Sequence, residues 1–400
     1  MDKIKVLICQ QHMYMGGLET ALLNLLKKLT PDRYDVDLLL LDNSGDLFNE
    51  IPEYVNVIFD KNVEKFKMNA TQAIFYQLRR FRIISAVKIL LSRLRCYNNP
   101  HVYDFWIRKI PKRKYDAAIN YNNWANYYTL YIKERVEARE KLLYVHFEPV
   151  YEHFVEGQYP VKGIENVLSG FTRVIGVSES VTKRFAELLP QYAEKCCTVY
   201  NFIDVEQIKS RAREFYPEEF EENTVNILSV GRLTAQKNFT VIPAVSKILL
   251  KSGINYKWFI VGDGPQREEI QAEIDREKLG NNLILLGKRM NPYPYFAHCD
   301  IYCHPSVTEA CCVAINEARI FDRLIVATEF PGIAEQLDNG RGGIIVDCTP
   351  EAIADGIVKA VNMKDSEKAE KATAAEYPNR KEREAESKLF EILRASKKNG

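Results

Sequence analysis

Two carboxylates eight residues apart, Glu309 and Glu317, are the strongest candidates for chemistry in the sequence. Glu309 follows the apolar run Ile301–His304, and Glu317 lies in the segment Val313–Ile320, which we predict to be a helix. Open α/β sheets bind ligands where a parallel strand ends and a helix begins, and the unpaired N–H groups of a helix start suit a diphosphate. Since eight residues rise about 12 Å along a helix, one carboxylate can contact a sugar while the other accepts hydrogen bonds from a ribose.

Two cations five residues apart, Arg232 and Lys237, follow the predicted strand Val225–Val230. Guanidinium and ammonium groups can neutralise the two phosphates of a nucleotide leaving group. Without such neutralisation, a nucleoside diphosphate leaves poorly from a sugar carbon. The alternative is that both are ordinary surface cations.

Two glycine motifs and one histidine complete the set of candidates. Gly16 and Gly17 follow the first predicted strand, and their lack of a Cβ lets backbone N–H groups approach a phosphate or a sugar. The pair is not the Gly-x-Gly-x-x-Gly fingerprint of dinucleotide-binding enzymes, which argues against an NAD enzyme. Gly262 belongs to a lone Gly-x-Gly, typical of a tight turn. His146 ends an apolar run and could contact the transferred sugar or the acceptor, although a lone histidine at a strand end more often has a structural role.

Strands and helices alternate in both halves of the chain. The first 45 residues contain an apolar strand at Ile4–Cys9, an amphipathic helix at Leu18–Leu29 and a strand at Val36–Leu41. The same alternation recurs from Val225 to Val346. It predicts an α/β protein with a doubly wound parallel sheet in each half. We interpret the acidic segment 214–222 as a surface linker.

Composition is that of a globular protein with two or three domains. The chain has 400 residues, is 46% hydrophobic, and carries a net charge of +1, which indicates no particular partner. Its nine cysteines are predicted to be reduced thiols packed as small hydrophobic groups. No Cys-x-x-Cys pair occurs, so no metal is expected. With no secretory signal and no apolar run of about 18 residues, we expect a cytoplasmic protein.

One segment, residues 61–114, departs from this charge balance. It holds 14 Lys or Arg residues against two acidic ones, a local net charge of +12, with aromatic residues interleaved. Such a segment is typical of an element that binds an anionic membrane surface, and a solvated helix face is the alternative. Nucleic acid is not expected as a partner, because no binding module is recognisable.

Taken in order, these motifs resemble the glycosyltransferases of family 4, which have the GT-B fold. The resemblance extends over nearly the whole chain. It includes Gly16-Gly17-Leu18-Glu19, His146, Val177-Ser178-Glu179-Ser180, Tyr200-Asn201-Phe202-Ile203-Asp204, Arg232 with Lys237, Gly262-Asp263-Gly264-Pro265, Asn291-Pro292-Tyr293-Pro294-Tyr295, and Glu309-x7-Glu317.

The resemblance implies two Rossmann-like doubly wound domains facing across a cleft. Residues 1–203 would form the acceptor-binding domain and residues 204–375 the nucleotide-sugar-binding domain, while residues 376–400 would form a helix crossing back to the first. Transfer would retain the anomeric configuration by front-face displacement. It would need no metal and no cofactor besides the nucleotide-sugar donor, for which UDP is the frequent nucleotide in the family.

The resemblance also implies roles for single residues. Arg232 and Lys237 would bind the diphosphate, Glu317 would hold the ribose, and Asn291 would lie beside the base. Gly262 would contribute to the same nucleotide site.

At the reacting centre, the resemblance implies that Glu309 faces the donor sugar and His146 lines the reaction, with Gly16 and Gly17 approaching the diphosphate. The chain departs from the family pattern at Ala310-Cys311-Cys312, because relatives often carry glycine after the first glutamate. The added side chains would narrow the donor-sugar pocket, so the identity of the sugar stays open.

The function implied is the transfer of a sugar to a lipid-linked or polysaccharide acceptor during capsule or other cell-surface glycan synthesis, at the inner face of the cell membrane. Two alternatives stay open: the same chemistry on a small soluble acceptor, and a non-catalytic protein that binds a sugar nucleotide or a membrane-associated partner. A glycoside hydrolase with paired carboxylates is disfavoured, because it would leave Arg232 and Lys237 without a task.

Overall fold

The structure is a computed structural model, and two compact units make up the chain. The first consists of residues 1–177, 181–199 and 385–400, and the second of residues 178–180 and 200–384. Among the residues described, no helix combines the length and apolar character needed to span a bilayer. The described residues are 2–59, 74–75, 77–81, 83–87, 90, 110–122, 127–149, 168–363 and 376–397.

The first unit is built on a seven-stranded parallel sheet. Its strands are β1 (Ile4–Cys9), β2 (Tyr34–Leu40), β3 (Asn56–Phe59), β5 (Ala117–Asn120), β7 (Glu140–Val145), β8 (Arg173–Gly176) and β9 (Cys196–Thr198), and a separate parallel pair is formed by β4 (Arg113–Lys114) and β6 (Val136–Glu137). The strand order is β3-β2-β1-β5-β7-β8-β9. The central strands are almost continuously apolar, because both faces of a parallel sheet are covered.

The first helix of this unit buries one apolar stripe. In α1 (Gly17–Lys28), the stripe includes Leu22, Leu25 and Leu26. The described part of this unit also contains α2 (Tyr127–Arg135), α3 (Glu179–Leu188), two short 3₁₀ turns at Phe48–Glu50 and Pro190–Lys195, and the last part of the C-terminal helix Glu376–Ala395.

The C-terminal helix belongs to the first unit from residue 385 onward. Its Glu386 carboxylate lies 3.3 Å from the Lys28 ammonium, and the Phe390 ring lies 5.7 Å from the Tyr34 ring, centroid to centroid. Leu389 and Leu393 are fully buried. These apolar residues therefore form the face by which the helix packs onto the first unit.

The second unit contains a six-stranded parallel sheet with the order β12-β11-β10-β13-β14-β15. Its strands are β10 (Val225–Val230), β11 (Tyr256–Val261), β12 (Leu283–Gly287), β13 (Ile301–His304), β14 (Leu324–Thr328) and β15 (Ile344–Val346). Its helices are α4 (Val205–Arg211), α5 (Ile242–Lys251) with a 3₁₀ turn at Phe239–Val241, α6 (Arg267–Arg276), α7 (Tyr293–His298), α8 (Val313–Ile320), α9 (Ile333–Gln336) and α10 (Pro350–Met363).

Alternate residues of these strands enter two separate apolar cores. Leu228 and Phe259 belong to one cluster, whereas their neighbours Ile227 and Trp258 belong to the other. Successive side chains of a strand point to opposite faces, so the two clusters lie on the two faces of the sheet. This confirms the predicted α/β architecture with two doubly wound parallel sheets.

The acidic segment 214–222 is mostly exposed, as predicted for a surface linker, but it is anchored in the second unit, which the sequence did not indicate. Phe220 is buried in a core of the second unit, 4.8 Å from the Phe259 ring. The Glu219 carboxylate accepts a hydrogen bond of 3.2 Å from the Tyr295 hydroxyl, and Glu221 forms an ion pair with Lys257. The acidic composition gave no indication that Phe220 would be buried or that Glu219 and Glu221 would have specific partners.

Two other sequence predictions fall partly or wholly outside the described residues. Most of the basic segment 61–114 lies outside them, the described parts being 74–75, 77–81, 83–87, 90 and 110–114. Cys96 lies outside as well, whereas the described cysteines are free thiols.

Gly262, which follows β11, has a φ of 146°, and a Cβ there would overlap the carbonyl oxygen of Gly231. We expect Gly262→Ala to lower the free energy of unfolding by at least about 1–3 kcal/mol, since left-handed strain and a backbone clash combine. Urea unfolding measures this. Gly280→Ala is the matched control, because a Cβ at Gly280 meets no atom within 4 Å. Equal effects of the two changes would contradict the argument.

Candidate functional site

Lys237, which is partly exposed, and Glu309, which is buried, form an ion pair in the second unit, although 72 positions separate them in sequence. Each lies on a loop that follows a strand, β10 for Lys237 and β13 for Glu309, and these two strands are neighbours in the sheet. The loops are also joined through Gln236, whose carbonyl accepts from the Val307 N–H at 2.9 Å and whose amide donates to the Thr308 carbonyl at 2.9 Å. The topology therefore brings a predicted phosphate ligand against a predicted sugar ligand.

Both charges of this pair are stabilised by their surroundings. Burial alone would raise the pKa of Glu309, but the hydrogen bond from His304 and the charge of Lys237 outweigh it and lower that pKa to about 2. Burial alone would lower the pKa of Lys237, but the neighbouring Cys312 and Glu309 side chains raise it above its ordinary value. The pair is thus ionised throughout the neutral pH range.

Three further residues surround Glu309, and the sequence reasoning assigned no role to any of them. Ser306 donates a hydrogen bond of 2.9 Å to Glu309 Oε1. The fully buried His304 ring places Nε2 at 2.9 Å from Ser306 Oγ, 3.4 Å from Glu309 Oε1 and 3.2 Å from Cys312 Sγ. A signal did exist, because Tyr302, His304 and Ser306 alternate at the end of β13 and so share one face.

Glu317 lies on α8, where it has no basic partner among the residues that the structure describes. Burial raises its pKa to about 7, and a hydrogen bond from the Tyr293 side chain opposes that increase. The side chain of Asn291, which the sequence placed beside the base, is bonded within the unit. It donates a hydrogen bond to the Arg211 carbonyl at 2.9 Å and accepts one from the Tyr293 N–H at 3.2 Å. Asn291 therefore holds the start of α7, which in turn positions Tyr293 beside Glu317.

Arg232 and Gly262 occupy the loops after β10 and β11. Arg232 is exposed, and among the described residues it lies outside the ion-pair network of Lys237 and Glu309. Its neighbour Leu233 donates from its N–H to the Asp263 carbonyl at 3.0 Å, so the two loops are joined. The guanidinium of Arg232 is therefore accessible to an anion.

Gly16 and Gly17 precede and begin α1 in the first unit. Gly16 is extended, and a Cβ there would lie 2.6 Å from the end of the Glu19 side chain. The Glu19 carboxylate accepts from Gln10 Nε2 at 3.3 Å and lies 3.5 Å from His12 Nδ1. The paired glycines leave the N–H groups at the start of α1 accessible beside this polar cluster.

His146 follows β7, and its ring packs against Tyr121 and Tyr144, with centroids 4.5 and 5.5 Å away. Burial lowers the pKa of His146 to about 3, while a hydrogen bond to the Tyr121 backbone acts in the opposite direction. The ring is therefore neutral, and its buried Nε2 has no hydrogen-bond partner among the described residues.

Among the other buried polar atoms of the first unit that share this condition, two also follow strands of the sheet. Gln10 Oε1, just after β1, and Asn122 Nδ2, just after β5, have no partner within the described residues. Strands β1, β5 and β7 are adjacent, so these atoms and His146 Nε2 lie along one edge of the sheet, the carboxyl edge. Buried polar groups are normally paired, so such a row suits a polar ligand. Sequence reasoning missed Gln10 and Asn122, although both directly follow predictable strands.

Comparison with known proteins agrees with this geometry. Residues 210–377, which lie in the second unit and contain Arg232, Lys237, Glu309 and Glu317, match the family model described as "Glycosyl transferases group 1".

Curated relatives match over less than half of their own lengths. The chain is 30% identical over 159 residues, 40% of this chain and 42% of the relative, to the N-acetylgalactosamine-N,N'-diacetylbacillosaminyl-diphospho-undecaprenol 4-alpha-N-acetylgalactosaminyltransferase of Campylobacter jejuni. It is 28% identical over 139 residues, 34% of this chain and 31% of the relative, to the GPI3 subunit of the phosphatidylinositol N-acetylglucosaminyltransferase of Saccharomyces cerevisiae.

A solved structure matches over almost the full length. The crystal structure of Anabaena Alr3699/HepE in complex with UDP and glucose has a TM-score of 0.72 and 19% identity, covering 98% of this chain and 100% of that one. The fold is the GT-B fold, as predicted, and the chain carries a glycosyltransferase group 1 domain. The prediction of a glycosyltransferase is thus confirmed at the level of this domain.

We expect the Glu317 carboxyl to make stability depend on pH. Because the fold raises its pKa to about 7, it favours the protonated form, and stability falls as pH rises from about 5 to 8. The expected loss from this residue is about 2–3 kcal/mol, which Glu317→Gln removes. Urea unfolding of both proteins at pH 5 and pH 8 measures the difference. An identical pH dependence in the two proteins would contradict the assignment.

Proposed function

We propose that the protein transfers a sugar, with retention of configuration, from a UDP-sugar to a lipid-linked acceptor in the synthesis of a cell-surface glycan. The observation that carries the proposal is the Lys237–Glu309 ion pair within a glycosyltransferase group 1 domain. The UDP part is supported by the Anabaena structure that contains UDP, and the lipid-linked acceptor by the undecaprenol-linked compound in the name of the Campylobacter relative.

The donor nucleotide would bind to the second unit. Arg232 is exposed, and Lys237 is a cation on a flexible stem, so both can contact a diphosphate after β10. Glu317 is a buried carboxylate that can accept two hydroxyl hydrogen bonds, as a ribose requires. Two cations supply the charge that a divalent ion would otherwise provide, so we propose donor binding without a metal.

The pKa of Glu309 is the basis for proposing front-face displacement. A carboxylate with a pKa of about 2 is a weak base, and its oxygen is already bound by Lys237 and Ser306. Such a group stabilises positive charge on the sugar better than it removes a proton. In the proposed step, the bond between the anomeric carbon and the phosphate breaks, the acceptor oxygen bonds on the same face, and the departing phosphate takes the acceptor proton.

The first unit would contact the sugar and the acceptor through neutral polar groups. Because His146 bonds to the Tyr121 backbone through its other nitrogen, its neutral Nε2 is a hydrogen-bond acceptor suited to a sugar hydroxyl. Gly16 and Gly17 would offer N–H groups of α1 to a phosphate.

Contact with an anionic membrane surface is the remaining part of the proposal. Several large apolar side chains in the described parts of segment 61–114 are exposed, and they accompany Arg79 and Arg80. Exposed apolar side chains among cations bind a bilayer that carries acidic headgroups. The exposed apolar residues are Phe75, Leu78, Phe81, Ile83, Ile84, Val87 and Leu90.

We expect Lys237→Ala to weaken UDP binding about tenfold to a hundredfold, since a charge-assisted phosphate contact contributes about 1.5–3 kcal/mol. Isothermal titration with UDP in EDTA measures the loss. Lys247→Ala is the matched control. Lys247 lies on α5 of the same unit and forms an ion pair with Glu277. Wild-type affinity in Lys237→Ala, or UDP binding that needs Mg²⁺, would contradict the assignment.

Product analysis tests the reaction itself. With a UDP-sugar and an undecaprenyl-diphosphate-linked acceptor, we expect a product with the donor's anomeric configuration by NMR, and no turnover by Glu309→Gln despite retained UDP binding. Transfer only to soluble sugar phosphates would favour the small-acceptor alternative. UDP binding without any transfer would favour the non-catalytic one.

For the membrane contact, we expect Ile84→Ser to reduce sedimentation with vesicles that contain anionic lipid several-fold, since burial of an Ile side chain contributes about 1.5–3 kcal/mol. Leu250→Ser, which changes an exposed apolar residue of the second unit, should leave sedimentation unchanged. Equal binding to neutral and anionic vesicles, or equal effects of the two variants, would contradict the proposal.

A further inference from the structure

The two oxygens of the Glu309 carboxylate have different surroundings. Oε1 accepts a hydrogen bond of 2.9 Å from the Ser306 hydroxyl and forms the ion pair with the Lys237 ammonium. Oε2 accepts no hydrogen bond from any residue that the structure describes. The carboxylate therefore has one oxygen held by the protein and one left for a ligand.

The direction of the Ser306 hydrogen bond depends on His304. The Ser306 hydroxyl has a single hydrogen, and it donates that hydrogen to Glu309. The contact of 2.9 Å between Ser306 Oγ and His304 Nε2 therefore requires a hydrogen on Nε2. An unprotonated Nε2 would compete with Glu309 for the serine hydrogen. The protonated Nε2 thus directs that hydrogen toward the carboxylate.

Tyr302 favours this tautomer of the histidine. Its hydroxyl lies 3.0 Å from His304 Nδ1, whereas the Val230 carbonyl, its other contact, is 3.4 Å away. In the neutral ring with the hydrogen on Nε2, Nδ1 accepts the hydrogen of this hydroxyl. Each group then donates to the next, and the chain of donors ends at Glu309.

Burial and the neighbouring strand hold this chain of donors in place. Tyr302, His304 and Ser306 are fully buried at the end of β13. Thr328, which ends the adjacent strand β14, donates from its hydroxyl to the Ser306 carbonyl at 2.5 Å. A buried network whose groups are paired holds its members in one arrangement. The anchored oxygen of Glu309 is consequently fixed by groups that solvent does not reach.

We infer that His304 and Ser306 are positioning residues that hold Glu309 Oε1, so that Oε2 faces the donor sugar. The inference rests on the proposed function, in which Glu309 stabilises positive charge that develops on the sugar. Such stabilisation depends on a preset geometry, and a displacement of about 1 Å can lower a rate about a hundredfold. Both positioning side chains are fully buried, so they act through Glu309 and not by contact with substrate.

Ser306→Ala tests the inference through the difference between turnover and binding. We expect kcat for sugar transfer to fall about tenfold to a hundredfold, because the carboxylate loses one of its two anchors. The Kd for UDP should stay within about twofold of the wild-type value, since the cations proposed to bind the diphosphate are unchanged. Transfer by Ser306→Ala at the wild-type kcat would overturn the inference and leave the proposed function intact.

Ser229→Ala is the matched control. Ser229 is equally buried on the adjacent strand β10, where its hydroxyl donates to the Cys303 carbonyl at 2.7 Å and accepts from the Trp258 indole at 3.0 Å. The variant loses buried hydrogen bonds that do not reach Glu309, so its kcat should equal that of the wild type. An equal fall of kcat in Ser229→Ala and Ser306→Ala would show a merely structural role and overturn the inference.

Two variants of similar size test the hydrogen on Nε2. His304→Gln can place an amide N–H near the position of Nε2, whereas His304→Met has no donor. We expect His304→Gln to keep a kcat several-fold above that of His304→Met, at equal affinity for UDP. Equal kcat values in the two variants would contradict the role given to this hydrogen.

The tautomer of His304 can be measured without an activity assay. In long-range ¹H–¹⁵N spectra of the full chain, we expect the His304 signal, assigned by its loss in His304→Gln, to show a hydrogen on Nε2. A ring without that hydrogen would overturn the inference. A wild-type protein that binds UDP but transfers no sugar would overturn the proposed function instead, and with it the role of these residues in turnover.

Discussion

The ion pair between Lys237 and Glu309 is the interaction on which the candidate site depends. An isolated buried charge costs several kcal/mol, so the buried Glu309 carboxylate depends on the Lys237 ammonium beside it to stay ionised. The pair joins the loops after β10 and β13, and the Gln236 hydrogen bonds repeat that connection through the backbone. The distance between the two loops that we propose to bind phosphate and sugar is thereby fixed before any ligand arrives.

The two carboxylates eight residues apart, Glu309 and Glu317, have very different pKa values because their surroundings differ. Glu309, beside a cation and an imidazole, has a pKa of about 2, whereas Glu317, buried with no cation beside it in the described part of the chain, has a pKa of about 7. The first is a permanent charge suited to a developing positive centre. The second titrates near neutral pH, so its ionisation costs stability; if it holds the ribose as we propose, nucleotide affinity increases as it ionises.

The polar groups around Glu309 in the second unit and those at the carboxyl edge of the first sheet differ in how completely they are hydrogen-bonded. Around Glu309, described donors and acceptors satisfy one another through Ser306, His304 and Cys312. Along the carboxyl edge of the first sheet, Gln10, Asn122 and His146 each keep an atom without a partner among the described residues. A satisfied network holds its geometry without ligand, whereas an unsatisfied row gains most when a polar ligand supplies the missing bonds. The first pattern suits a preformed donor site and the second a site completed by substrate.

The sequence by itself determined the elements and the candidate charges. Apolar runs fixed strands such as Ile301–His304, helical periodicity fixed Val313–Ile320, and spacing identified Arg232, Lys237, Glu309 and Glu317, because these signals are local. Only the tertiary structure decided that Lys237 meets Glu309, that Cys312 joins His304, and that Phe220 anchors an acidic segment in the core. Those outcomes depend on which strands become neighbours and which groups are buried. No local pattern encodes either, because both arise from contacts between residues far apart in the chain.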